Sequence, residues 1–305
     1  MIPTTCGTGS EGNGFAVLTN PDNGDKKSLR CNAIVAKVSI VDPECMMTMP
    51  KKVLASVTFD ALCHNIEAYT SKIAQPLTDA MSIYAIELIA NNLVSVYNGT
   101  GSKKEWENIT MASTIGGMVI NTAGVTIAHG MEHPASGLKD IVHGQGLAAL
   151  TPIVIEASYK GNEEKFAKIA KIFGGESAAD CADKIRELLK SIDLECKLSD
   201  LGIAAEDIPW MAENCMKVSA ASIANNPVVF TQEEIADAIG VARSTYTRYE
   251  SDKRLPDIYK LCALADYFDV SLDDLVGRDW KPKKITKGGT LRSNHSRNAE
   301  AFLKR

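Results

Sequence analysis

Four of the five histidines in this chain lie between His64 and His143, and an aspartate directly precedes them in a regular pattern. The pattern reads Asp60-Ala-Leu-Cys-His64, then His129-Gly-Met-Glu-His133, then His143-Gly. Residues four apart share one face of a helix, so Asp60 and His64 point the same way. If their helices meet, His129 and His143 can close on that pair. Three imidazole nitrogens and one carboxylate oxygen suit a divalent transition metal.

The alternative for each of these histidines is a hydrogen-bonded residue of the core, and HxxxH alone arises often by chance. The whole set, in which DxxxH, HxxxH and a third histidine before glycine follow one another, is much less easily accidental. Cys63 is adjacent to His64, but consecutive residues on a helix diverge by about 100°. We therefore do not assign Cys63 to the metal.

Composition restricts the remaining possibilities. A length of 305 residues is sufficient for two domains, and 45% apolar with 23% charged residues is ordinary for soluble globular protein. The net charge of −5 excludes nucleic-acid binding by bulk electrostatics. None of the eight cysteines forms a CxxC pair, which indicates isolated thiols in a reducing compartment. The sequence shows no secretory pattern and no apolar run near 18 residues, so we predict a cytoplasmic protein without membrane attachment.

Local patterns predict strands first and helices afterwards. The apolar run 15–18 precedes a turn at 20–24, and the β-branched run 33–41 is extended in character. Helical spacing of apolar residues begins after Pro50. One predicted helix, 105–119, ends near its glycine pair. Further predictions are a helix ending at Gly174-Gly175, helices over 182–192 and 208–221, a break at 225–227, and four short helices over 231–239, 242–250, 256–268 and 271–276.

These motifs resemble those of the iron-containing (group III) alcohol dehydrogenase family. The resemblance covers residues 1 to about 238. It is carried by the segments Ile2–Glu11, Val41–Glu44, Asp60–Tyr69, His129–Pro134, His143-Gly144, Asn226-Pro227 and Thr231–Ile235.

The resemblance implies a site in which each residue has a role. It implies that Fe(II) or Zn(II) is bound by Asp60, His64, His129 and His143. His133 would lie between the metal and the nicotinamide, where it could relay a proton. Thr4, Thr5 and Thr8 would line NAD(P), and Lys26 would reach its ribose or phosphate, unless the alignment shifts to Lys27 or both lysines belong to a solvated turn. The implied reaction is hydride transfer between a small alcohol or aldehyde and the cofactor. Members of this family often form homo-oligomers, and the sequence leaves the oligomeric state open.

A family member begins with an α/β nucleotide-binding half of about 150 residues, which carries a glycine-rich turn at the pyrophosphate. This chain opens at Met1-Ile-Pro-Thr-Thr, and no GxGxxG segment occurs in it. We therefore expect an N-terminally truncated enzyme in which residues 1–45 are remnant strands with unpaired edges. Dinucleotide affinity should be poor, and this chain alone should show little turnover.

A second pattern starts at Thr231. Residues 230–277 resemble the Cro/cI (lambda repressor-like, XRE) helix-turn-helix family, with Gly240 at the predicted turn. The first helix of that family is missing, and residues 231–238 fit both families, which suggests a splice at the shared segment. Segment 230–279 carries a net charge of −5, so nonspecific DNA affinity should be modest. The implied DNA contacts are Gln232, Arg243, Ser244, Thr245 and Arg248.

The predicted fold class is mainly α. It comprises remnant strands of a nucleotide-binding sheet (1–45), an all-α metal-binding domain of the dehydroquinate synthase-like kind (46–229), a small helix-turn-helix module (230–279), and a basic disordered tail (280–305) of net charge +7. Three readings of function follow. The first is a metal-dependent alcohol dehydrogenase, the second is a DNA-binding regulator with a metal- or ligand-sensing dehydrogenase remnant, and the third is a non-enzymatic metal-binding or assembly protein.

Overall fold

The computed structural model describes residues 1–243 and 271–272. Within them, one antiparallel two-stranded sheet precedes ten α-helices, which confirms the mainly-α fold class. The strands are β1 (Phe15–Thr19) and β2 (Lys26–Arg30); the helices are α1 (Lys51–Thr70), α2 (Pro76–Tyr97), α3 (Lys103–Ala123), α4 (Ile127–Lys139), α5 (His143–Ser158), α6 (Glu163–Ile172), α7 (Cys181–Ser191), α8 (Ile208–Val218), α9 (Ala220–Asn225) and α10 (Gln232–Arg243).

The core is built around α1, which packs against α2, α3 and α5. From Leu54 to Thr70 every residue of α1 except Val57 is buried, including its polar residues. Phe59 and Leu62 are completely excluded from solvent. A helix buried on all sides lies at the centre of its domain. Side chains on α1 can therefore meet partners from several helices at once.

The predicted strand 33–41 is wrong. Instead, β2 pairs with β1 in a register that sets Phe15 opposite Arg30 and Thr19 opposite Lys26. Residues 32–34 form a short 3₁₀ turn. No strand of the described chain lies beside 35–41. Its backbone pairs only locally with Met1, whose amino group donates to the Val38 carbonyl oxygen and whose carbonyl oxygen accepts from the Ile40 amide, and Val38 is 68% exposed. The local preference for extended structure is therefore not expressed as a strand.

The predicted end of a helix at Gly116-Gly117 is also wrong, because α3 continues to Ala123 and stops before Gly124, which has φ 67°. The glycine pair serves close packing. A Cβ on Gly116 would lie 2.9 Å from the Asn65 Nδ2 atom, and one on Gly117 would lie 1.9 Å from the Gly9 carbonyl oxygen. Glycine at these positions lets α3 approach both α1 and the N-terminal loop.

A proline inside α4 leaves one backbone carbonyl oxygen without its helical hydrogen bond, and a serine between α8 and α9 satisfies that oxygen. Pro134 has no amide hydrogen, so it cannot bond the carbonyl oxygen four residues earlier, at Gly130. The Ser219 hydroxyl donates to that oxygen at 3.2 Å instead. Ser219 also separates α8 from α9, where we predicted one helix over 208–221. The predicted break at 225–227 and the helix ending at Gly174 are confirmed.

The helix-turn-helix pattern takes a different form here. We predicted helices 231–239 and 242–250 with a turn at Gly240, but α10 is continuous from Gln232 to Arg243. Its apolar residues, Ile235, Ala238, Ile239 and Ala242, recur at helical spacing and are buried where α10 packs against α5 and α8. This packing favours an unbroken helix. The predicted helices beyond Arg243 and the tail 280–305 lie outside the described residues.

Within the described chain, α2 is the one single helix long and apolar enough to cross a membrane, and α3 with α4 passes the same test as a pair bent by 104°. Only 44% of the apolar stretch of α2 is buried inside the protein. The helix nevertheless contacts α1, α3 and α6. A core helix of a water-soluble protein meets the same criterion, so length and composition alone are weak support for a membrane span.

Replacing Gly240 with alanine tests whether α10 is continuous. Alanine should raise the free energy of unfolding by about 0.5–1 kcal/mol, because it is the better helix former and the nearest outside atom is 3.9 Å from the added Cβ. Gly117→Ala is the matched control and should destabilise by about 1–3 kcal/mol through overpacking. Chemical denaturation measures both variants. Destabilisation by Gly240→Ala would indicate a turn at this position instead of a helix.

Candidate metal centre

Three acidic and imidazole side chains line one face of α1. Asp60, His64 and Glu67 lie at positions i, i+4 and i+7, which an α-helix places in one row. All three are buried, with relative exposures of 4%, 6% and 3%. A buried ionisable group needs a partner or an ion, because removing charge from water is costly. This row is therefore the foundation of the candidate site.

Two further helices bring imidazoles to the same point. His129 lies in the first turn of α4, and His143 is the first residue of α5. The Asp60 Oδ1 atom is 3.4 Å from Nε2 of His64, 3.3 Å from Nε2 of His129 and 3.5 Å from Nε2 of His143. The structure thus brings together all four residues that the sequence analysis proposed as ligands.

The four residues fit a divalent transition metal by their geometry and by their unsatisfied atoms. Ligand–metal bonds of about 2.0–2.1 Å in a tetrahedron separate the ligand atoms by about 3.3–3.4 Å. The three separations from Asp60 are close to that value, and ligand atoms of Asp60, His64 and His129 all lie within 4.8 Å of one another. Among the described residues, Asp60 Oδ1 and His129 Nε2 are buried without any hydrogen-bond partner. An ion bound between them would satisfy both atoms.

Glu67 holds His129 in place and caps α4. Its Oε1 atom is 2.5 Å from the His129 Nδ1 atom, and its Oε2 atom accepts hydrogen bonds from the Thr126 amide and hydroxyl at 2.6 and 3.0 Å. Thr126 is the residue that precedes α4. A carboxylate on Nδ1 fixes the ring so that Nε2 faces the metal position. One residue of α1 therefore sets both the start of α4 and the orientation of a ligand.

Glycines allow the three helices to approach closely around these ligands. A Cβ on Gly144 would lie 2.1 Å from the Ser56 carbonyl oxygen, so glycine is needed directly after His143 for α5 to reach α1. A Cβ on Gly116 would lie 3.3 Å from Cβ of His64. These contacts explain why the pattern His143-Gly144 belongs to the site although glycine offers no ligand.

The charges at the site perturb each other's protonation. Burial opposes ionisation of Asp60, but the adjacent His64 and His143 outweigh it and hold the pKa of Asp60 well below its usual range. Burial lowers the pKa of His64 to about 4, which keeps its lone pair available. Burial also acts against the His129 imidazolium, but the Glu67 charge raises the pKa of His129 to about 10.

His133 lies beside two of the four proposed ligands. Its ring centroid is 6.2 Å from that of His129 and 5.9 Å from that of His143. Burial lowers the pKa of His133 to about 3, although we expected titration near neutrality from its residue type. The ring is therefore neutral at pH 7, and it accepts a proton less readily than an ordinary imidazole does.

The N-terminal loop, proposed to line the cofactor, is attached to α1 close to the ligands. The Cys6 thiol lies 3.4 Å from the Thr58 hydroxyl. Thr58 is on α1, two residues before Asp60. Of the three predicted threonines, Thr4 and Thr8 are exposed and Thr5 is partly buried. Their hydroxyls are thus on or near the surface of a loop that is fixed beside the metal centre.

The two alternative lysines of the turn point in different directions. Lys26 Nζ donates to the Ser136 hydroxyl at 2.6 Å and lies 3.9 Å from Glu132 Oε2, so it faces α4. Lys27 is 56% exposed and pairs with Asp25 at 3.2 Å. Lys26 is therefore the lysine that connects the β-hairpin with the metal-binding helices.

Two buried carboxylates, Glu67 and Glu132, were missed by the sequence analysis. Each contacts the Nδ1 atom of a ligand, Glu67 on His129 and Glu132 on His143. The signal was present as a glutamate three residues after His64 and another directly before His133. Glutamates at such spacing are common on solvated helix faces. They indicate carboxylates that support a ligand only when they accompany the whole ligand pattern.

The remaining residues singled out earlier are distributed elsewhere. Cys63 is buried with its thiol 3.3 Å from the Thr151 hydroxyl, which supports its exclusion from the ligand set. Gln232 lies at the start of α10, and the Arg243 Nε atom donates to the Ile203 carbonyl oxygen at 3.1 Å. The other three predicted DNA contacts, Ser244, Thr245 and Arg248, lie outside the described residues.

The helices enclose a candidate metal centre of three histidines and one aspartate, as the resemblance to the dehydrogenase family implies. The model of the Fe-containing alcohol dehydrogenase family, C-terminal, matches residues 54–242, and that of iron-containing alcohol dehydrogenase matches residues 1–43. The chain therefore belongs to the iron-containing alcohol dehydrogenase family. A helix-turn-helix model matches residues 230–275 and overlaps the first match.

Individual relatives agree with this assignment. The chain is 38% identical over 243 residues to 1,3-propanediol dehydrogenase of Klebsiella pneumoniae, which covers 77% of this chain and 62% of the relative. It is 32% identical to alcohol dehydrogenase 4 of Saccharomyces cerevisiae (strain YJM789), covering 78% and 63%. The chain thus spans less than two thirds of the length of these relatives.

Solved structures show the same similarity in three dimensions. An archaeal halo-thermophilic Red Sea brine pool alcohol dehydrogenase matches with a TM-score of 0.75 and 31% identity over 79% of this chain and 63% of that chain. A 1,3-propanediol oxidoreductase matches with a TM-score of 0.73 and 37% identity, covering 79% and 65%. The fold of the metal-binding helices is therefore that of the family.

Replacing His129 with alanine should remove the metal, because it deletes one of four ligands from a buried site. We expect the affinity for Fe(II) or Zn(II) to fall by more than about 100-fold. Loss of a residue that only supports a ligand lowers metal affinity by up to about 100-fold, and loss of a ligand should cost more. His133→Ala is the matched control, since His133 is not in the ligand set. Metal content after dialysis, measured by mass spectrometry, distinguishes them. Equal retention in both variants would identify His129 as an ordinary core histidine.

Proposed function

We propose that this chain carries the metal-binding part of a metal-dependent, NAD(P)-linked alcohol dehydrogenase. The observation that supports this proposal best is the convergence of three Nε2 atoms on one buried carboxylate oxygen, Asp60 Oδ1. When bound, the metal supplies Lewis acidity toward an alcohol or carbonyl oxygen, and the nicotinamide exchanges the hydride. Asp60, His64, His129 and His143 would hold the ion. The donor set suits both Fe(II) and Zn(II).

In this proposal the chain's own residues orient the substrate and move the proton. His133, beside two of the proposed ligands, would take the hydroxyl proton of a small alcohol and return it in the reverse reaction. Thr4, Thr5, Thr8 and Lys26 would bind NAD(P), since their loop and hairpin are attached next to the ligand-bearing helices. The names of the relatives, which include 1,3-propanediol dehydrogenase and alcohol dehydrogenase 4, support small alcohols as substrates.

We further propose that a polypeptide of these 305 residues has little turnover by itself. Residues 1–43 would provide only part of a nucleotide site, and the sequence contains no GxGxxG segment. Homo-oligomers, which the family resemblance implies, and a cytoplasmic location belong to the same proposal.

The function can be tested in a chimera. The N-terminal part of Klebsiella 1,3-propanediol dehydrogenase that this chain does not match is fused ahead of Met1. We expect NAD-dependent oxidation of 1,3-propanediol by the chimera, loss of that activity in Asp60→Ala, and a decrease of about 10²–10⁴-fold in His133→Ala. Absorbance of NADH measures all three. The 305-residue polypeptide serves as the control, and turnover that persists after Asp60→Ala would refute the proposed site.

DNA binding is a second candidate function, and the helix-turn-helix match over 230–275 is the observation that favours it. In this proposal, the metal-binding domain ends at residue 229 and the helix-turn-helix module begins at residue 230. Its proposed contacts are Gln232, Arg243, Ser244, Thr245 and Arg248. A regulator of this kind would sense metal or a small ligand through the helical domain.

We expect this second function to be weak in the 305-residue chain, because segment 230–279 carries a net charge of −5 and Arg243 is engaged with Ile203. Fluorescence anisotropy with duplex DNA at 50 and 200 mM salt tests it, with and without Zn(II). Arg248→Ala should weaken any specific binding by about 1–3 kcal/mol. Identical curves for the wild type and this variant would remove the proposed recognition role of Arg248.

A further inference from the structure

Glu132 is a completely buried carboxylate that the proposed reaction does not use. It lies on α4, directly before His133, and its relative exposure is 0%. Its Oε2 atom contacts the Nδ1 atom of His143, the imidazole whose Nε2 atom faces Asp60. Both of its carboxyl oxygens are buried, so a partner inside the protein must compensate this polar group.

The surroundings of Glu132 are shaped to hold it. A Cβ on Gly146 would lie 2.8 Å from Cγ of Glu132, so glycine at this position of α5 makes room for the side chain. Lys26 Nζ lies 3.9 Å from Glu132 Oε2 and donates to Ser136, one turn further along α4. The His143 ring and the Lys26 ammonium group thus both face one oxygen of the carboxylate, Oε2.

The same atoms can also be considered as a second cation site. One ligand atom from each of Glu132, His133 and His143 lies within 4.8 Å of the others. Two features argue against a second ion. The Lys26 ammonium group already provides a positive charge near Glu132 Oε2, and His143 would have to bind two ions through its two nitrogens. If Glu132 only orients His143, no second ion is needed and His143 binds one ion through Nε2.

We propose that Glu132 is a positioning residue that orients His143 toward the metal, and that Lys26 acts on the metal centre through Glu132. A carboxylate on Nδ1 fixes the tautomer of an imidazole and leaves the Nε2 lone pair for the metal. Glu67 stands in the same relation to His129. The proposal rests on the metal centre of the proposed function, but it concerns residues outside the four ligands. It also gives Lys26 a role that is present without any nucleotide.

Cobalt(II) titration of the metal-free chain tests this proposal without any turnover assay. The wild type should bind one ion per chain and show the visible bands of Co(II) at the site. Glu132→Gln should lower the Co(II) affinity by about 10–100-fold and alter those bands, because His143 loses its fixed orientation. The control, Glu87→Gln, changes an exposed glutamate of α2 and should leave affinity and bands unchanged.

Lys26→Met is a second variant, at a partly exposed position, and Co(II) titration measures it in the same way. It should weaken Co(II) binding less than Glu132→Gln does, and the double variant should resemble Glu132→Gln alone, because Lys26 acts through Glu132. Circular dichroism identifies any variant that does not fold. If Glu132→Gln does not fold, the Co(II) affinity of Lys26→Met tests the proposal. Strictly additive losses would overturn the proposed order of action.

The remaining outcomes separate this proposal from the proposed function. Unchanged affinity and bands in Glu132→Gln overturn the positioning role alone. Two ions bound per wild-type chain, with one lost in Glu132→Gln, would make Glu132 a ligand of a second site and also overturn it. Absence of Co(II) binding by the wild-type chain would overturn the metal centre itself, and with it the proposed function.

Discussion

The carboxylate of Asp60 is buried among three imidazoles, and the arrangement of the surrounding helices follows from that constraint. A charge at the centre of a helical core is tolerated only when opposite charge or an ion compensates it. His64 lies on the same helix, while His129 and His143 are brought by α4 and α5 to within 3.3 and 3.5 Å of the same oxygen. The close approach of α5 to α1 and of α3 to His64 serves this one contact.

The supporting residues extend the constraint outward. Glu67 orients a ligand and caps α4 through Thr126, so the ligand and the helix that carries it are fixed by one side chain. The N-terminal segment is attached to the same body by the contact between Glu11 and Thr114 at 2.7 Å, and by the hydrogen bond from Arg30 to the Asn121 carbonyl oxygen. The segment proposed to meet the cofactor is therefore fixed to α3, which packs against α1, the helix that carries Asp60 and His64.

The segment that forms α10 shows how one sequence can satisfy two patterns. Residues 230–242 are matched by both the dehydrogenase and the helix-turn-helix family models. Local signals favour neither, because an acidic first turn followed by apolar residues at helical spacing starts a helix in both. Packing of Ile235 and Ile239 on α5 and α8 decides for one continuous helix, since it buries the apolar face completely.

The sequence by itself identified the four proposed ligands, because Asp60 and His64 share a helix face by spacing alone and His129 and His143 lie in motifs that resemble those of the family. It also determined the helical class, through the periodicity of apolar residues after Pro50. Only the tertiary structure decided which carboxylates support the ligands, where the glycine pair of α3 packs, and that residues 35–41 are not a strand. These features depend on what lies opposite a residue in space, and the identities of its neighbours along the chain do not contain that information.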